Sequence, residues 1–298
     1  MSRSDWATLF ALSLVWGCTF PIVKLSVQEI PPLTLVLLRV GLAAVALWLI
    51  MRATNVAVPR GRRIWSMFFV MGFLGAALPW MLFFWGQQYL PSGVGAIMNA
   101  TTPLWSAVLG HFMLADERLT GARLAGVLIG FLGVAVLVGP DVLWRAGVSL
   151  VAQGAIGLSA LFYALSGIYG RRFAPLGLAP LQSAFGQMAT ATLLIAPLAL
   201  AHDAPWRLPA PGALTFAAVI FLAVVATAFA FVMFFRVLAS AGATNVMLVT
   251  LLVPATATAL GVTLLGETVE PRHLAGMAIV VVGLLVMDGR MLAALRRS

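Results

Sequence analysis

The sequence predicts an all-α polytopic membrane protein of ten transmembrane helices, built as two inverted five-helix repeats. Three observations predict it. The 298 residues are 62% apolar and only 9% charged, against about 25% charged in a typical soluble domain, which leaves too little polar surface for a water-soluble fold of this length. The apolar residues gather into ten runs near the length of a membrane crossing. A block beginning at Leu114 recurs 150 residues later, at Leu264.

The runs follow in order: Asp5–Val23, Leu33–Met51, Trp65–Gln87, Gly93–Met113, Gly121–Gly139, Ser149–Tyr169, Leu178–Leu200, Gly212–Phe234, Gly242–Leu265 and His273–Met287. A hydrocarbon layer about 30 Å thick takes roughly 20 apolar residues as a helix. Backbone polar groups in lipid need internal partners, which selects helices for such runs. A membrane β-barrel would show short alternating segments instead. The first run is longer than a signal-peptide core, contains Trp16, and ends at Pro21 and Lys24 with no small-residue cleavage site, so it is expected to be a span.

The net charge of +9 does not predict a nucleic-acid partner. A phosphate-binding surface clusters its basic residues on a solvated face, whereas here they sit in short breaks between apolar runs. They act as topology signals instead. With the N-terminus cytoplasmic, Arg3, Arg52, Arg60, Arg62, Arg63, Arg118, Arg123, Arg171, Arg172, Arg236, Arg290, Arg296 and Arg297 lie inside. Only Lys24, Arg145, Arg207 and Arg272 lie outside, and Arg39 is within a span. This asymmetry predicts both termini inside; the membrane is expected to be a bacterial cytoplasmic (inner) one. The lone Cys18 excludes an intrachain disulfide and a multi-cysteine metal site.

The repeat divides the chain into residues 1–140 and 141–298. Leu114-Ala-Asp-Glu117, Leu124-Ala-Gly126 and Gly133 correspond to Leu264-Leu-Gly-Glu267, Leu274-Ala-Gly276 and Gly283, with Pro103 and Pro254 upstream of each. Internal symmetry of this kind marks a transporter built from repeats. Five spans per half is an odd number, so the halves enter the membrane from opposite sides.

Trp16-Gly-Cys-Thr-Phe20 with Lys24, Pro31-Pro-Leu-Thr-Leu-Val-Leu-Leu-Arg39, and the paired Leu-x-x-Glu blocks at Glu117 and Glu267 resemble EamA-type members of the drug/metabolite transporter superfamily. The first copy has Ala115-Asp116 where the family commonly has Gly. The resemblance covers nearly the whole chain. It implies ten helices, two EamA repeats, a central cavity and export of small metabolites, with amino acids prominent among the substrates. Exporters of drugs or nucleosides are the alternative.

Polar side chains facing lipid are costly, so polar stripes on spans point to a solute path. In the first span Ser13, Trp16, Phe20 and Lys24 share one helical face. The sixth carries Ser159, Phe162, Ser166 and Tyr169, with Tyr163 beside them. Rings with hydroxyls between them suit a wall that grips an apolar group and hydrogen-bonds a polar end; helix packing is the alternative use. The fourth span places Asn99, Thr101, Thr102 and Ser106 around Pro103, and the ninth places Asn245 and Thr250 before Pro254. A proline removes one helical hydrogen bond, so the freed carbonyls and hydroxyls either face a solute or satisfy each other. Trp80, Phe84 and Gln87 mark the third span next to Pro79, and Gln187 the seventh. Arg39, about two turns into the second span, is expected to gate, to snorkel to the outer interface or pair with Glu29, or to clamp a carboxylate. Lys24 is grouped with it. Glu117 and Glu267 are expected to organise the turns into the fifth and tenth spans, whose glycines (Gly126, Gly130, Gly133, Gly276, Gly283) suit close helix contacts in a scaffold or a dimer face.

No Asp or Glu lies mid-span, and His111, His202 and His273 fall at span ends or in loops. The carboxylate pair, histidine pair or metal set of an intramembrane enzyme is missing, so no cofactor and no catalysis are expected. Proton pumps usually carry an intramembrane acid or histidine, which favours facilitated or weakly proton-coupled transport. Expected partners are a small-molecule substrate and the lipid bilayer, with no nucleic acid, in a monomer or homodimer.

Overall fold

A computed structural model of the chain describes residues 3–115, 117–139, 148–231, 233–234, 237 and 248–288. Every regular element among them is helical. The helices are α1 (Arg3–Ser26), α2 (Pro32–Ala53), α3 (Arg62–Gly72), α4 (Leu78–Gln87), α5 (Ser92–Asn99), α6 (Thr102–Met113), α7 (Gly121–Val138), α8 (Val148–Gly170), α9 (Pro180–His202), α10 (Ala213–Ile220), α11 (Leu248–Leu265) and α12 (Pro271–Asp288). Six continuous stretches are long and apolar enough to cross a membrane, and Ala213–Phe229, Leu252–Leu265 and Pro271–Met287 are shorter apolar helices.

Two of the predicted runs contain a widened turn. Between α3 and α4, Phe73–Ala77 is π-helical, and the Leu78 N–H reaches back five residues to the Phe73 carbonyl. Pro79 follows directly. Its ring crowds the Gly75 carbonyl and supplies no N–H for it, so the preceding turn expands. A second π-helical segment, Phe221–Phe229, continues α10. No proline accounts for that one; Thr227 Oγ1 donates to the Leu222 carbonyl across it at 2.7 Å.

The fourth run is broken into α5 and α6 around Ala100 and Thr101. Pro103 therefore sits in the first turn of a new helix, where its missing N–H costs nothing. It still leaves the Asn99 carbonyl without a backbone donor, and Thr102 Oγ1 takes that place at 2.7 Å, while Thr101 Oγ1 donates to the Met98 carbonyl at 2.6 Å. Pro254, by contrast, lies inside the continuous α11. The two prolines are thus not locally equivalent, although the sequence pairs them.

Helix packing is nearly unchanged when the two halves are exchanged. α2 packs on α9 and α7 on α12, each helix on its own counterpart. α1 packs on α11 as α8 packs on α5 and α6. α3 packs on α9 as the π-segment of α10 packs on α2, and α4 packs on α8 as α10 packs on α1. The α7–α12 seam is backbone-close: a Cβ on Gly133 would lie 2.6 Å from the Val280 nitrogen, and one on Gly283 2.5 Å from the Gly130 nitrogen. The glycines predicted for scaffold or dimer contact thus join the two halves within one chain.

Candidate functional site

Between the halves lies a cavity of about 380 Å³, walled by α1, α2, α3 with its turn into α4, α4, α5 and α6, α8, α9, the π-segment after α10 with Phe231 and Phe234 beyond it, and α11. None of its lining residues comes from α7 or α12. The volume is at the small end of the roughly 300–1,000 Å³ of small-molecule sites.

One wall is aromatic. α1 is apolar enough to cross the core, and its residues Trp16 and Phe20, a turn apart, both reach the cavity. Phe20 meets Phe83 edge to face at 5.3 Å, and Trp16 lies 5.7 Å from Phe234. The Trp16 Nε1–H donates to the Ala226 carbonyl at 3.2 Å, within the second π-segment. Trp80 and Phe84, one turn apart on α4, present parallel rings.

Arg39 stands over that pair, its guanidinium carbon 4.0 Å from the centre of the Trp80 ring and 5.7 Å from that of Phe84. It is 6% exposed. Its Nε donates to Thr227 Oγ1 at 3.0 Å, and the Tyr163 phenol lies close enough to interact electrostatically. Neither sequence option of snorkelling or pairing with Glu29 holds: the helix carries Arg39 inward, and Glu29 accepts from the Gly212 N–H at 2.7 Å. Burying an ion costs several kcal/mol. Cation–π stacking returns about 2 kcal/mol when desolvated, and a hydrogen bond to a charged group about 1.5–3 kcal/mol. Among the described residues no carboxylate pairs with Arg39, so a site for negative charge stays open at its terminal NH₂ groups.

Gln187 faces the same space from the partner helix. Arg39 and Gln187 are each the eighth residue of a helix that opens on proline, Pro32 and Pro180. The Gln187 amide rests on Gly75 in the first π-segment, where a Cβ would come within 2.6 Å of Nε2. Asn99 lines the cavity at the α5–α6 break, and its buried Oδ1 has no protein partner. Thr102, Tyr163 and Ser166 complete the polar lining together with Thr19.

Trp16, Phe20, Trp80, Phe84, Asn99, Thr102, Tyr163 and Gln187 are therefore brought together, with Arg39 among them. Three of the hydroxyl candidates are not. The hydroxyls of Ser13, Thr101 and Ser159 are buried and donate to carbonyls of their own chain segment, those of Leu9, Met98 and Ile156. Pro79 and Pro103 shape the wall without lining it. Asn245 lies outside the described residues, as does the side chain of Thr250. Phe83, Thr19 and Gly75 were missed. Phe83 falls three residues after Trp80, so the spacing that selected Phe84 could have found it; Gly75 carries no such signal.

Polar ties close one end of the cavity's walls, where the α1–α2, α4–α5, α9–α10 and α11–α12 connections meet. Asp203 accepts from the N–H and Oγ1 of Thr34, both at 2.8 Å. Glu267 accepts from the N–H of Ser92 at 2.9 Å and its Oγ at 3.0 Å. With the Glu29–Gly212 contact, three carboxylates each cap the N-terminus of a helix in the opposite half, where the helix dipole favours negative charge. Lys24 adds a bond from Nζ to the Gln88 carbonyl at 2.9 Å. Glu267 thus joins the halves beyond shaping its own turn. Its repeat counterpart, Glu117, forms an exposed ion pair with Arg171 of the other half at 3.2 Å.

The sequence pattern of the EamA-like transporter family matches residues 6–139 and again 152–287. The chain belongs to that family. It carries two EamA repeats in an all-helical membrane fold, and the family and its named relatives are transporters, not enzymes. A probable terminal-alkyne amino-acid exporter of Streptantibioticus cattleyicolor is 26% identical over 100% of this chain and 97% of its own. A probable amino-acid metabolite efflux pump of Salmonella typhimurium is 26% identical over 96% of this chain and 95% of its own. A crystal structure of a protein 22% identical superposes with a TM-score of 0.68, covering 96% of this chain and 98% of that one, which bears on the fold alone.

Proposed function

We propose that this EamA transporter exports amino acids or similar small metabolites across a bacterial cytoplasmic membrane by alternating access. The observation that carries the reading is the cavity: it lies between the two repeats and is lined from both by rings, amides and hydroxyls with, among the described residues, one buried cation. The names of the two relatives above favour amino-acid cargo.

On this reading residues 1–140 and 141–298 are inverted five-span repeats, and both termini are cytoplasmic. The end tied by Glu29, Asp203 and Glu267 is then the outer one. Substrate enters from the cytoplasm, and its side chain packs against Trp16, Phe20 and Phe83 while Asn99 and Gln187 address its polar groups. The repeats rock against each other, the carboxylate caps part, and substrate leaves. The glycine seam between α7 and α12 supplies the rigid back.

With no acid or histidine among the described residues that line the cavity, this reading makes transport facilitative or weakly proton-coupled. Counterflow of labelled amino acids in proteoliposomes, with and without a pH gradient, tests this. Exchange should proceed without the gradient; a strictly proton-dependent flux overturns the coupling, and no flux of any amino acid or small metabolite overturns the function.

A further inference from the structure

One departure from the repeat's symmetry is chemical. At the eighth position of α2 and α9 the two halves hold Arg39 and Gln187, both facing the cavity. The neutral member rests on Gly75 in the first π-segment. The charged member is held by Thr227 and the Trp80 ring. A scaffold role would be met by an uncharged side chain of similar length, as Gln187 demonstrates in the other half.

The geometry points to Arg39 as the anchor for a substrate carboxylate. This rests on the transport reading above and adds the substrate's charge class: the cargo is an organic monocarboxylate or zwitterion, not a cationic amine. Trp80 fixes the plane of the guanidinium, and the bond from Nε to Thr227 fixes its rotation. The terminal NH₂ groups are left as the matched pair of donors a carboxylate accepts. Tyr163 lines the same cavity with a further hydroxyl. The unpartnered amide of Asn99 in the same cavity offers an acceptor to an α-ammonium, and the aromatic wall formed by Trp16, Phe20 and Phe83 takes the side chain. Loading would pair the buried Arg39 charge with the substrate carboxylate, so this guanidinium does not cross between states unpaired.

The test uses matched probes: the L-amino acids, the amines left by their decarboxylation, and aliphatic or aromatic monocarboxylates lacking the amino group. Binding to purified protein is read as quenching of Trp16 and Trp80 fluorescence, and transport is read separately in proteoliposomes. Carboxylate-bearing probes should bind at least about tenfold more tightly than the matching amines, the range of a charge-assisted hydrogen bond. Arg39→Gln should erase that preference, and Arg39→Lys, which keeps the charge but loses the fork, should retain part of it. Amines binding as tightly as their parent acids would overturn the assignment, as would an unchanged preference in Arg39→Gln. Should Arg39→Gln fail to fold, the wild-type pairs and Arg39→Lys decide. Binding with the carboxylate preference but no flux overturns transport and leaves the anchor standing. Flux without the preference does the reverse. No binding by any carboxylate probe overturns the anchor.

Discussion

The closest backbone approach at any described glycine sets up a sharp substitution experiment at Gly283. A Cβ there would lie 2.5 Å from the Gly130 nitrogen, 2.7 Å from the Gly126 carbonyl oxygen and 2.7 Å from the Gly130 Cα. All three are backbone atoms, so no side chain can rotate away. Ordinary contact begins near 3.4 Å, and the α7–α12 seam must open by about 0.9 Å at that point. Overpacking of this kind costs about 1–3 kcal/mol. Replacing a helical glycine by alanine returns about 0.5–1 kcal/mol. Gly283→Ala should therefore lose about 1–2 kcal/mol net. Gly154 is the control: it lies in α8 with nothing within 4 Å of its would-be Cβ, so Gly154→Ala should gain the helical term alone. The two variants are compared by thermal unfolding in one detergent, followed by size-exclusion chromatography. The midpoint should fall for Gly283→Ala and hold or rise for Gly154→Ala. A Gly283→Ala protein as stable as wild type, or equal shifts in both, would refute the seam as the rigid back of the fold.

Three further outcomes are expected. Asp203→Ala strips the acceptor from the Thr34 N–H and Oγ1 and should lower stability by about 1–3 kcal/mol, read from the same thermal assay; no change would mean the tie is idle. Glu267→Gln weakens the cap on Ser92, so a Thr19→Cys probe in a Cys18→Ser background should react several-fold faster with a membrane-impermeant maleimide from outside, and an unaltered rate would count against an outer gate here. Asn99→Ala should reduce flux at normal expression levels, whereas unchanged kinetics would remove Asn99 from the substrate path.

Much of the architecture could be read from the sequence because it depends on local quantities. Apolar run length and helix periodicity place α1, α2, α7, α8 and α9 within a few residues of their observed bounds. The duplicated block around Glu117 and Glu267 announces the two repeats. The site was legible in part. The face of Trp16 and Phe20, the spacing of Trp80 and Phe84, and the isolated amides of Asn99 and Gln187 stand out because polar or aromatic groups are conspicuous in apolar runs. Ser13, Thr101 and Ser159 stand outside the cavity lining. A hydroxyl inside a helix can satisfy itself on a backbone carbonyl one turn back, and no sequence pattern separates that use from facing a solute.

The sequence by itself determined that the chain spans a membrane, that it is helical and that it is duplicated, since each follows from composition and from periodicity along one dimension. Only the tertiary structure decided where the groups meet. Whether Arg39 snorkels outward or turns onto Trp80 depends on which helices pack beside α2. The α3–α4 and α10 π-segments turn on how a widened backbone meets Gln187, Trp16 and Arg39. The carboxylates of Glu29, Asp203 and Glu267 read as loop charges until helix ends from the opposite repeat are brought against them. Those contacts join residues far apart in the chain, and their energy exists only once both halves are folded.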